Sequence, residues 1–503
     1  FSKTGKYPLS FVEWGLPHIA SFSSYRWPEF IWSAEDVMTV WDAEYIAPEF
    51  GDSVAEWTPE RLKLLDKLVA LGNRKTRWGA LSGIAGQLPD VIRLQADYFA
   101  DNLRSMRAWN IGLLLPWDDY ANYEPVPDLP PAPPAPENPT RWIGLNRPGL
   151  VPDYFNWGDY ILTATPERVR LSPLGRVIQR WNQPVIAFIG GEAPFTTKEH
   201  NYNPGGEISK QLVILNDGRE PLDCQYEVWI REVNARPARG KITVKPGEKA
   251  LVPIRLNLPV RTRPGRYELA AQFTFSGDNA PQTDSFAIDV LPQARPEPGA
   301  KIALYDPKGL TARLFERLGI PFRKVDAIAS PVREGVLVIG REALDPAGPL
   351  PNLDAVRDGL RVLVFEQRPE VMNRLGFRIN EHGLRRLFIR HSGHPVLKGL
   401  EERHLADWRG EGTLLPPYLD YDQFFCPEWL WQGFEDTRVW RCRNRGVVAN
   451  ALIEKPTVGN FTPIADGGFA LQYAPLMEYR EGKGGILFCQ AVVNGRSAAG
   501  PAA

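Results

Sequence analysis

The chain has 503 residues, which is enough for two to four domains and for at least one large hydrophobic core. Its 59 basic and 60 acidic residues give a formal net charge of -1, and this balance excludes the electrostatic footprint of a nucleic-acid or anionic-membrane partner. No apolar run is long enough to span a bilayer, and no signal peptide is recognisable. The four cysteines lack metal-binding spacing, so neither a metal site nor a disulfide framework is predicted.

Residues 1–124 carry the order strand, long loop, helices, strand. FVEWG, in which Glu13 follows an apolar pair, predicts a short buried strand that ends at a glycine. TPERLKLLDKLVALG and PDVIRLQADYFADNLRSMRAW predict two helices. The apolar side of the second helix is expected to contain Val91, Leu94, Tyr98 and Met106. NIGLLLPWDDY then predicts a strand that is buried on both faces, as in a parallel sheet.

Two further segments separate this region from the rest of the chain. Residues 125–183 contain the proline-rich spacer PVPDLPPAPPAPENP, which cannot form helix, and then a short strand and a helix that close the first domain. Residues 184–293 consist of short alternating runs separated by NDG, PGE and RPG turns. This pattern predicts an immunoglobulin-like β-sandwich, without the Cys…Trp…Cys arrangement of antibody domains.

Residues 299–496 alternate between strand and helix patterns. KIALYD, GVLVIG and RVLVFE predict apolar strands, GLTARLFERLGI predicts an amphipathic helix, and PFRKVD predicts a short strand. GGILFCQ predicts a late strand of the same sheet. The alternation indicates a parallel, doubly wound, Rossmann-like sheet. The fold class is therefore multidomain, combining α/β and all-β parts.

This Rossmann-like domain lacks the motifs of its usual chemistry. No G-x-G-x-x-G follows its first strand, so nucleotide binding is not predicted. An amidotransferase would need a cysteine after a central strand, but Glu366, Gln367 and Arg368 follow VLVF instead. Cys489 lies within a strand pattern and is interpreted as a core residue. The domain is therefore predicted to be a scaffold or an oligomer interface.

Three polar pairs elsewhere have spacings that metal or acid–base sites also use. His391 and His394 have an H-x-x-H spacing but lack a third ligand, so a metal site is not favoured. Asp420 and Asp422 are interpreted as a solvated acidic turn rather than a calcium site. The pair Asn380–Glu381 is interpreted as a turn. The sequence thus predicts no metal and no cofactor.

Glu13 is the strongest candidate for chemistry. It ends an apolar run, and Trp14 and Gly15 follow, where a glycine permits close approach of a ligand. The next strand pattern ends in Pro-Trp-Asp-Asp, which places Trp117 as an aromatic platform for a sugar ring.

FVEWGLP, followed by helices and GLLLPWDDY, resembles strands seven and eight of the TIM-barrel β-glycosidases, the retaining clan A that includes β-galactosidases, β-glucuronidases and β-mannosidases. The resemblance implies that Glu13 is the nucleophile and that Trp117 is the floor of the sugar subsite. It also implies that His18, Trp27 and Asp118 line the same opening. HPVLKGLEERHLADWRGEGTLLPPY and APLMEYREGKGGILFCQ are similar to C-terminal segments of bacterial family-2-like hydrolases, whose sandwich and amidotransferase-like domains follow the barrel.

The resemblance implies a retaining exo-β-glycosidase that is β-galactosidase-like, acts on a carbohydrate and needs no cofactor. Residues 1–124 would be the last two βα units of the barrel, since the acid/base Glu of the clan lies upstream of strand seven. Retaining hydrolysis needs two carboxyl groups roughly 5–5.5 Å apart. We therefore expect an N-terminal barrel fragment or subunit as partner. We further expect a homo-oligomer and a soluble bacterial protein, whether cytoplasmic, periplasmic or secreted.

Two other functions stay open from the sequence. The first is a non-catalytic carbohydrate-binding or assembly subunit that uses the sandwich and the Rossmann-like domain. The second is an enzyme of another class centred on the Rossmann-like domain, which a bound nucleotide or an active cysteine would support. The sugar stays open among galactose, glucuronate and mannose, which differ at single hydroxyl groups or a carboxylate.

Overall fold

The protein is described by a computed structural model, and every statement below concerns the residues that it describes. These are residues 9–14, 89–108, 111–116, 123–125, 169–191, 198–277, 279–292, 299, 301–329, 331–411, 445–468 and 471–496. The chain divides into two compact units, Phe1–Gln183 and Pro184–Ala503. Strands predominate over helices, and all-β and α/β parts both occur. Among the described helices, none is long and apolar enough to cross a bilayer.

The first unit contains the two strands predicted on either side of a long excursion. Strand β1 (Leu9–Trp14) and strand β2 (Ile111–Pro116) pair in parallel, and helix α1 (Pro89–Ala108) leads into β2. Parallel neighbours need a crossover connection, which the intervening residues supply. Both strands and this helix are confirmed, whereas the predicted helix TPERLKLLDKLVALG lies outside the described residues.

Helix α1 buries a face formed by Ala96, Phe99 and Leu103, which are at most 5% exposed. Their spacing of three and four residues places them on one side of an α-helix. The side chains predicted for the apolar face lie outside the described set: Val91, Leu94, Tyr98 and Met106.

The segment that ends the first unit forms a strand and a helix, as predicted. Strand β3 (Tyr123–Pro125) pairs antiparallel with strand β4 (Val169–Leu171), and helix α2 (Pro173–Trp181) follows. The Ser172 hydroxyl accepts a hydrogen bond from the Gly175 N–H at 3.1 Å, and a proline occupies the first turn. Serine as N-cap and proline in the first turn explain why the helix begins there.

Residues 185–290 form two sheets around one hydrophobic core. The strands are β5 Val185–Gly190, β6 Asn201–Tyr202, β7 Glu207–Asn216, β8 Leu222–Ile230, β9 Ala238–Val244, β10 Glu248–Asn257, β11 Gly265–Phe275 and β12 Gln282–Val290. One sheet has the order β10-β7-β5, and the other has the order β6-β12-β11-β8-β9. All pairs are antiparallel except β6 with β12. The predicted strands of this all-β region are confirmed, and β5 and β6 are additional.

Strand β5 is a sheet edge that side chains of the opposite sheet cover. The Ala187 N–H donates to Gln282 Oε1 at 3.0 Å, and Gln282 Nε2 donates to the Val185 carbonyl at 2.8 Å. The Ile189 N–H donates to Asp284 Oδ2 at 2.8 Å. An edge strand with satisfied backbone groups resists pairing with another chain. Side chains of β12 therefore cover the β5 edge of the sandwich.

The α/β part begins with the elements that the sequence predicted. These are β13 Ile302–Tyr305, α3 Leu310–Leu318, β14 Arg323–Lys324, β15 Val336–Ile339, β16 Arg361–Phe365 and α4 Pro369–Arg374. The later elements are β17 Ile379–Leu384, β18 Phe388–Ile389, β19 Trp408–Glu411, β20 Arg445–Gly446, β21 Ala449–Ile453, β22 Phe461–Gly467, β23 Tyr473–Glu481, β24 Gly484–Cys489 and α5 Val493–Arg496.

The main sheet of this part has the order β14-β13-β15-β16-β24-β23-β22-β18. The first five strands are parallel, and β24 is the late strand that GGILFCQ predicted. Strands β23, β22 and β18 extend the sheet with antiparallel pairs. The predicted parallel sheet is therefore confirmed for five strands, and the sheet is mixed because the consecutive strands β22, β23 and β24 pair antiparallel. Helix α3 shares a core with Leu304 on one face, and α4 shares a core with Leu337 on the other.

The pair Asn380–Glu381 lies within strand β17, so its interpretation as a turn was wrong. Strand β17 pairs antiparallel with β21, and Asn380 lies opposite Leu452. The Asn380 amide nitrogen donates to the Tyr473 hydroxyl at 2.8 Å. This segment is a strand because it pairs with β21, which is distant in sequence. A short sequence window does not contain that information.

Candidate functional site

Glu13 lies near the carboxyl end of strand β1, as the penultimate residue. The last residue of β1, Trp14, pairs with Pro116, the last residue of β2. Because the two strands are parallel, their carboxyl ends meet at one edge of the sheet. Active sites of parallel α/β barrels are built at this edge. The backbone thus brings Glu13 and the end of the second predicted strand together.

Only the backbone of Glu13 is described, since the side chains of β1 and β2 are outside the described set. The other predicted site residues, His18, Trp27, Trp117 and Asp118, lie outside the described residues altogether. Trp117 directly follows Pro116 in the sequence. The structure therefore supplies the strand pairing beneath the predicted site and leaves the site's side-chain geometry as a prediction.

The helix that leads into β2 is held in place by a buried arginine. Arg107 is 6% exposed, and it donates to the Trp181 carbonyl at 2.7 Å and to the Gln183 carbonyl at 3.0 Å. Trp181 is the last residue of helix α2 and Gln183 lies just beyond it, where cationic donors are favoured. The guanidinium groups of Arg104 and Arg180 lie 5.1 and 4.8 Å from the Trp181 ring centroid. This contact fixes α1, and with it the start of β2, against the closing helix.

In the α/β part, strand order reverses between β13 and β15, the place where open α/β sheets bind ligands. Asp306 follows β13, and its Oδ2 accepts from the Ala312 N–H at 2.7 Å, in the first turn of α3. A Cβ atom on Gly340 would lie 2.9 Å from Cγ of Asp306, so the two segments are in close contact. The carboxylate occupies the helix terminus at which a phosphate would bind.

The residues in place of an amidotransferase cysteine form a buried polar network. Glu366 is 1% exposed and pairs with Arg341, Nε to Oε2, at 3.0 Å. The Gln367 amide nitrogen donates to the Gly340 and Phe365 carbonyls at 2.7 Å, and its Oε1 accepts from the Leu344 N–H at 3.0 Å. Buried polar groups that pair with one another in this way rigidify a fold.

Three more residues of this network were not identified from the sequence. Gln490 accepts from the Gln367 N–H at 2.9 Å and donates back to the Gln367 carbonyl at 3.1 Å. Thr311 Oγ1 accepts from the Arg341 N–H at 2.8 Å and from the Asn494 amide at 2.7 Å. One sequence signal could have predicted this network: polar residues recur directly after apolar strands. The carboxyl ends of parallel strands share one edge of a sheet, so such residues lie close together.

The described cysteines are inert. Cys489 lies in β24 as predicted, and burial raises the pKa of its thiol to about 12. Burial likewise raises the pKa of the Cys224 thiol to about 12. A thiol with such a pKa carries almost no thiolate at neutral pH, so neither is a nucleophile.

Within the described ranges, no group of three or more His, Cys, Asp or Glu side chains could hold a metal ion. His394 Nε2 lies 3.8 Å from Glu478 Oε2, and His394 Nδ1 accepts from the Val396 N–H at 3.3 Å. These contacts cap a turn. Asp420 and Asp422 lie outside the described residues.

No protein-family model matches the chain, and no curated protein matches it at a significant level. Among solved structures, partial similarity is found to a family 123 glycoside hydrolase from Clostridium perfringens, with 14% identity over 26% of this chain and 32% of that chain, at a TM-score of 0.17. A β-glucosidase from Listeria innocua has 18% identity over 21% of this chain and 16% of that chain, at a TM-score of 0.16. The α-2-macroglobulin of E. coli has 17% identity over 22% of this chain and 7% of that chain, at a TM-score of 0.18. The chain spans less than half the length of each of these proteins.

Proposed function

We propose that this chain is the C-terminal part of a retaining exo-β-glycosidase that is β-galactosidase-like. The observation that carries the proposal is the parallel pairing of β1 with β2, in which Trp14 lies opposite Pro116. This pairing is what strands seven and eight of a glycosidase barrel require. It brings Glu13 to the edge of the sheet that Pro116 reaches.

The mechanism follows from a single carboxylate at this edge. Glu13 attacks the anomeric carbon, the bond to the leaving oxygen breaks, and a covalent glycosyl-enzyme forms. A second carboxyl group protonates the leaving oxygen and then deprotonates the water that releases the sugar. Trp117 supplies the stacking surface for the ring, and His18, Trp27 and Asp118 line the opening. No step needs a cofactor.

The second carboxyl group belongs to the preceding βα units of the barrel. In the clan that the motifs resemble, this acid/base Glu lies at the end of strand four. We therefore propose that these units are supplied by an N-terminal barrel segment or a partner chain. A native mass measurement on the purified material tests this: a second polypeptide, or a longer chain, is expected, and an active preparation of residues 1–503 alone would contradict it.

The remaining domains are proposed to be structural. Residues 125–183 close the barrel, residues 184–293 form an immunoglobulin-like sandwich, and residues 299–496 form an amidotransferase-like domain without its nucleophile. The buried pair of Arg341 and Glu366 supports this role, because the edge at which chemistry would occur is filled by internal hydrogen bonds. The same observation favours a second candidate, a non-catalytic assembly or carbohydrate-binding subunit of a glycosidase complex. Such a scaffold domain would pack against another copy in a homo-oligomer.

Replacement of Glu13 separates the two candidates. In the complete enzyme, Glu13→Gln is expected to reduce turnover of an aryl β-glycoside by about 10³-fold or more, because the covalent step is lost. Glu124→Gln, a change in strand β3 of the same unit, serves as the matched control and should retain activity. Azide should restore activity to Glu13→Ala with inversion at the anomeric carbon. Near-normal turnover of Glu13→Gln would exclude the nucleophile role and favour the non-catalytic subunit.

A further inference from the structure

One tryptophan of the sandwich lies on the outer face of a sheet instead of in the core. Strand β8 directs Val228 and Ile230 into the core between the two sheets. Successive side chains of a strand point to opposite faces, so Trp229 points away from that core. Its side chain is only partly buried, and the core cluster does not include it. The outer face of the five-stranded sheet therefore carries an aromatic side chain that does not belong to the core.

The burial of Ala270 indicates how the indole lies. Ala270 is the cross-strand partner of Trp229 on strand β11 and also points outward. It is only 2% exposed, whereas the next outward residues along β11, Gln272 and Thr274, are exposed. An indole that lies flat over the alanine explains this difference, because directly opposed side chains are the closest pair in a sheet. One face of the ring then covers the sheet, and the other face is turned outward.

The outward face of this indole is available to a ligand. Among the residues that the structure describes, no ring and no cation packs on the indole of Trp229, and none bonds to its N–H. The indole nitrogen is also absent from the buried polar atoms that lack a partner, so it reaches solvent. A tryptophan in such a position offers both a stacking surface and a hydrogen-bond donor.

Two ion pairs flank the indole on the same face of the sheet. Glu227, two residues before Trp229, accepts a hydrogen bond from Arg239 Nη2 at 2.6 Å. Arg231, two residues after Trp229, lies with its Nε 2.9 Å from Glu268 Oε2. Each pair sums to zero charge and orients a carboxylate and a guanidinium group beside the ring. The surroundings of the indole therefore offer donors and acceptors without a net charge.

Uncharged polar side chains extend this surface across the sheet. Gln272 lies opposite Glu227. Ser285, on strand β12, lies opposite Ala270. Both Gln272 and Ser285 are exposed. Neighbouring strands are about 4.8 Å apart, so the surface from β8 to β12 is wide enough for more than one sugar ring.

We propose that the outer face of the five-stranded sheet binds a neutral oligosaccharide, with Trp229 as the stacking platform. The apolar C–H face of one sugar ring packs on the outward face of the indole. Hydroxyl groups of the sugar exchange hydrogen bonds with Glu227, Arg231 and Gln272. The zero net charge of the surroundings favours a neutral sugar over a uronic acid or a sulfated chain. The site adds a binding role to the sandwich, and it depends on neither Glu13 nor Trp117.

A protein partner is the other occupant that an aromatic surface residue suggests. The centre of a protein interface is apolar and depleted of charged residues. Trp229 is instead surrounded by two ion pairs and by exposed amide and hydroxyl groups. The large apolar side chains that are exposed in the described part of the sandwich, Leu251 and Val260, lie outside this sheet. The chemistry of the face therefore fits a sugar better than a protein.

Calorimetric titration of the full chain tests the site with three neutral probes, β-1,4-galactotetraose, cellotetraose and β-1,4-mannotetraose. Binding of at least one probe is expected. Trp229→Ala should weaken that binding by about tenfold or more, because the stacking surface is lost. Thr243→Ala is the matched control, since Thr243 lies on the same outer face about 20 Å along the strands. It should bind as the unmodified chain does. Failure of all three probes to bind, or an unchanged affinity of Trp229→Ala, would overturn the proposal.

A second comparison separates this site from the proposed catalytic site. Trp117→Ala should retain the binding that Trp229→Ala loses. Loss of binding in Trp117→Ala, with retention in Trp229→Ala, would place the probe in the catalytic site and overturn the proposal for the sandwich. Near-normal turnover of Glu13→Gln would instead exclude the nucleophile and leave the sugar site of the sandwich intact.

Two milder variants cover the case in which Trp229→Ala does not fold. Trp229→Phe keeps a smaller ring over Ala270, and Gln272→Ala removes one exposed amide. Each should weaken binding by about threefold. Unchanged affinity in both variants would contradict the proposal. A native mass measurement on Trp229→Phe tests the protein alternative: a smaller oligomer with unchanged sugar affinity would assign the face to a protein partner and overturn the sugar site.

Discussion

Trp14 pairs with Pro116, and each residue is the last of its strand. The two strands therefore end level with one another, although about a hundred residues of sequence separate them. A retaining glycosidase needs its nucleophile and its aromatic subsite floor at one edge of the barrel. This pairing is the relationship on which the proposed roles of Glu13 and Trp117 depend.

The role of Trp117 predicts a loss of catalytic efficiency on truncation. In the complete enzyme, Trp117→Ala should lower kcat/KM for an aryl β-glycoside by about tenfold, because the stacking surface for the sugar ring is lost. Trp117→Phe preserves a ring and should lose much less. Steady-state kinetics on the two variants check this, and equal kcat/KM values for Trp117→Ala and the unmodified enzyme would rule out the role.

The covered edge of the sandwich predicts a defect that is independent of catalysis. Replacing both Gln282 and Asp284 with alanine should lower the free energy of unfolding by about 1–3 kcal/mol, since backbone groups of β5 lose their partners. The exposed edge should also promote self-association. Gln272→Ala with Thr274→Ala, two exposed positions of β11, is the matched control. Urea unfolding measures the free energy of unfolding, and light scattering measures self-association. Equal values of both for the two double variants would contradict the interpretation.

Asn450 in strand β21 predicts a stabilising substitution. It is fully buried, and neither atom of its amide has a hydrogen-bond partner among the residues that the structure describes. Asn450→Leu has a similar volume and should raise the free energy of unfolding by about 1–3 kcal/mol, because the cost of burying an unpaired amide is removed.

Gln367→Leu is the matched control for Asn450→Leu, and we expect it to lower the free energy of unfolding. Gln367 is equally buried, but its amide makes hydrogen bonds to Gly340, Phe365 and Leu344, so its removal should be destabilising. Urea unfolding of the transition that contains the α/β part checks both variants. A destabilised Asn450→Leu would indicate that the amide has a function in the folded state.

Local pattern was sufficient for much of the fold. Alternating runs predicted β7 through β12, and apolar runs predicted β13, β15, β16 and β24. These predictions succeeded because hydrophobic periodicity and turn residues can be recognised within short segments of sequence. Strand β5 was not predicted, although its sequence VIAFIG is an apolar run of the same kind. Asn380 was misread because pairing with distant Leu452 decides its conformation.

The candidate site was predictable only in part. The strand–helices–strand pattern and the resemblance to strands seven and eight of a barrel predicted two neighbouring parallel strands, which the pairing of β1 and β2 confirms. The polar network of Arg341, Glu366 and Gln490 was not predictable as a unit, because its members come from three strand ends that are far apart in sequence. Only the strand order of the sheet brings them together.

The most direct test of the central claim is to trap the covalent intermediate. An activated 2-deoxy-2-fluoro β-galactoside slows release of the sugar from a retaining enzyme, so the nucleophile stays labelled and can be located by peptide mass spectrometry. With the complete enzyme, we expect one fluorosugar per active site, attached to the peptide that contains Glu13. A label on another carboxylate, or continued hydrolysis without any label on Glu13, would contradict it.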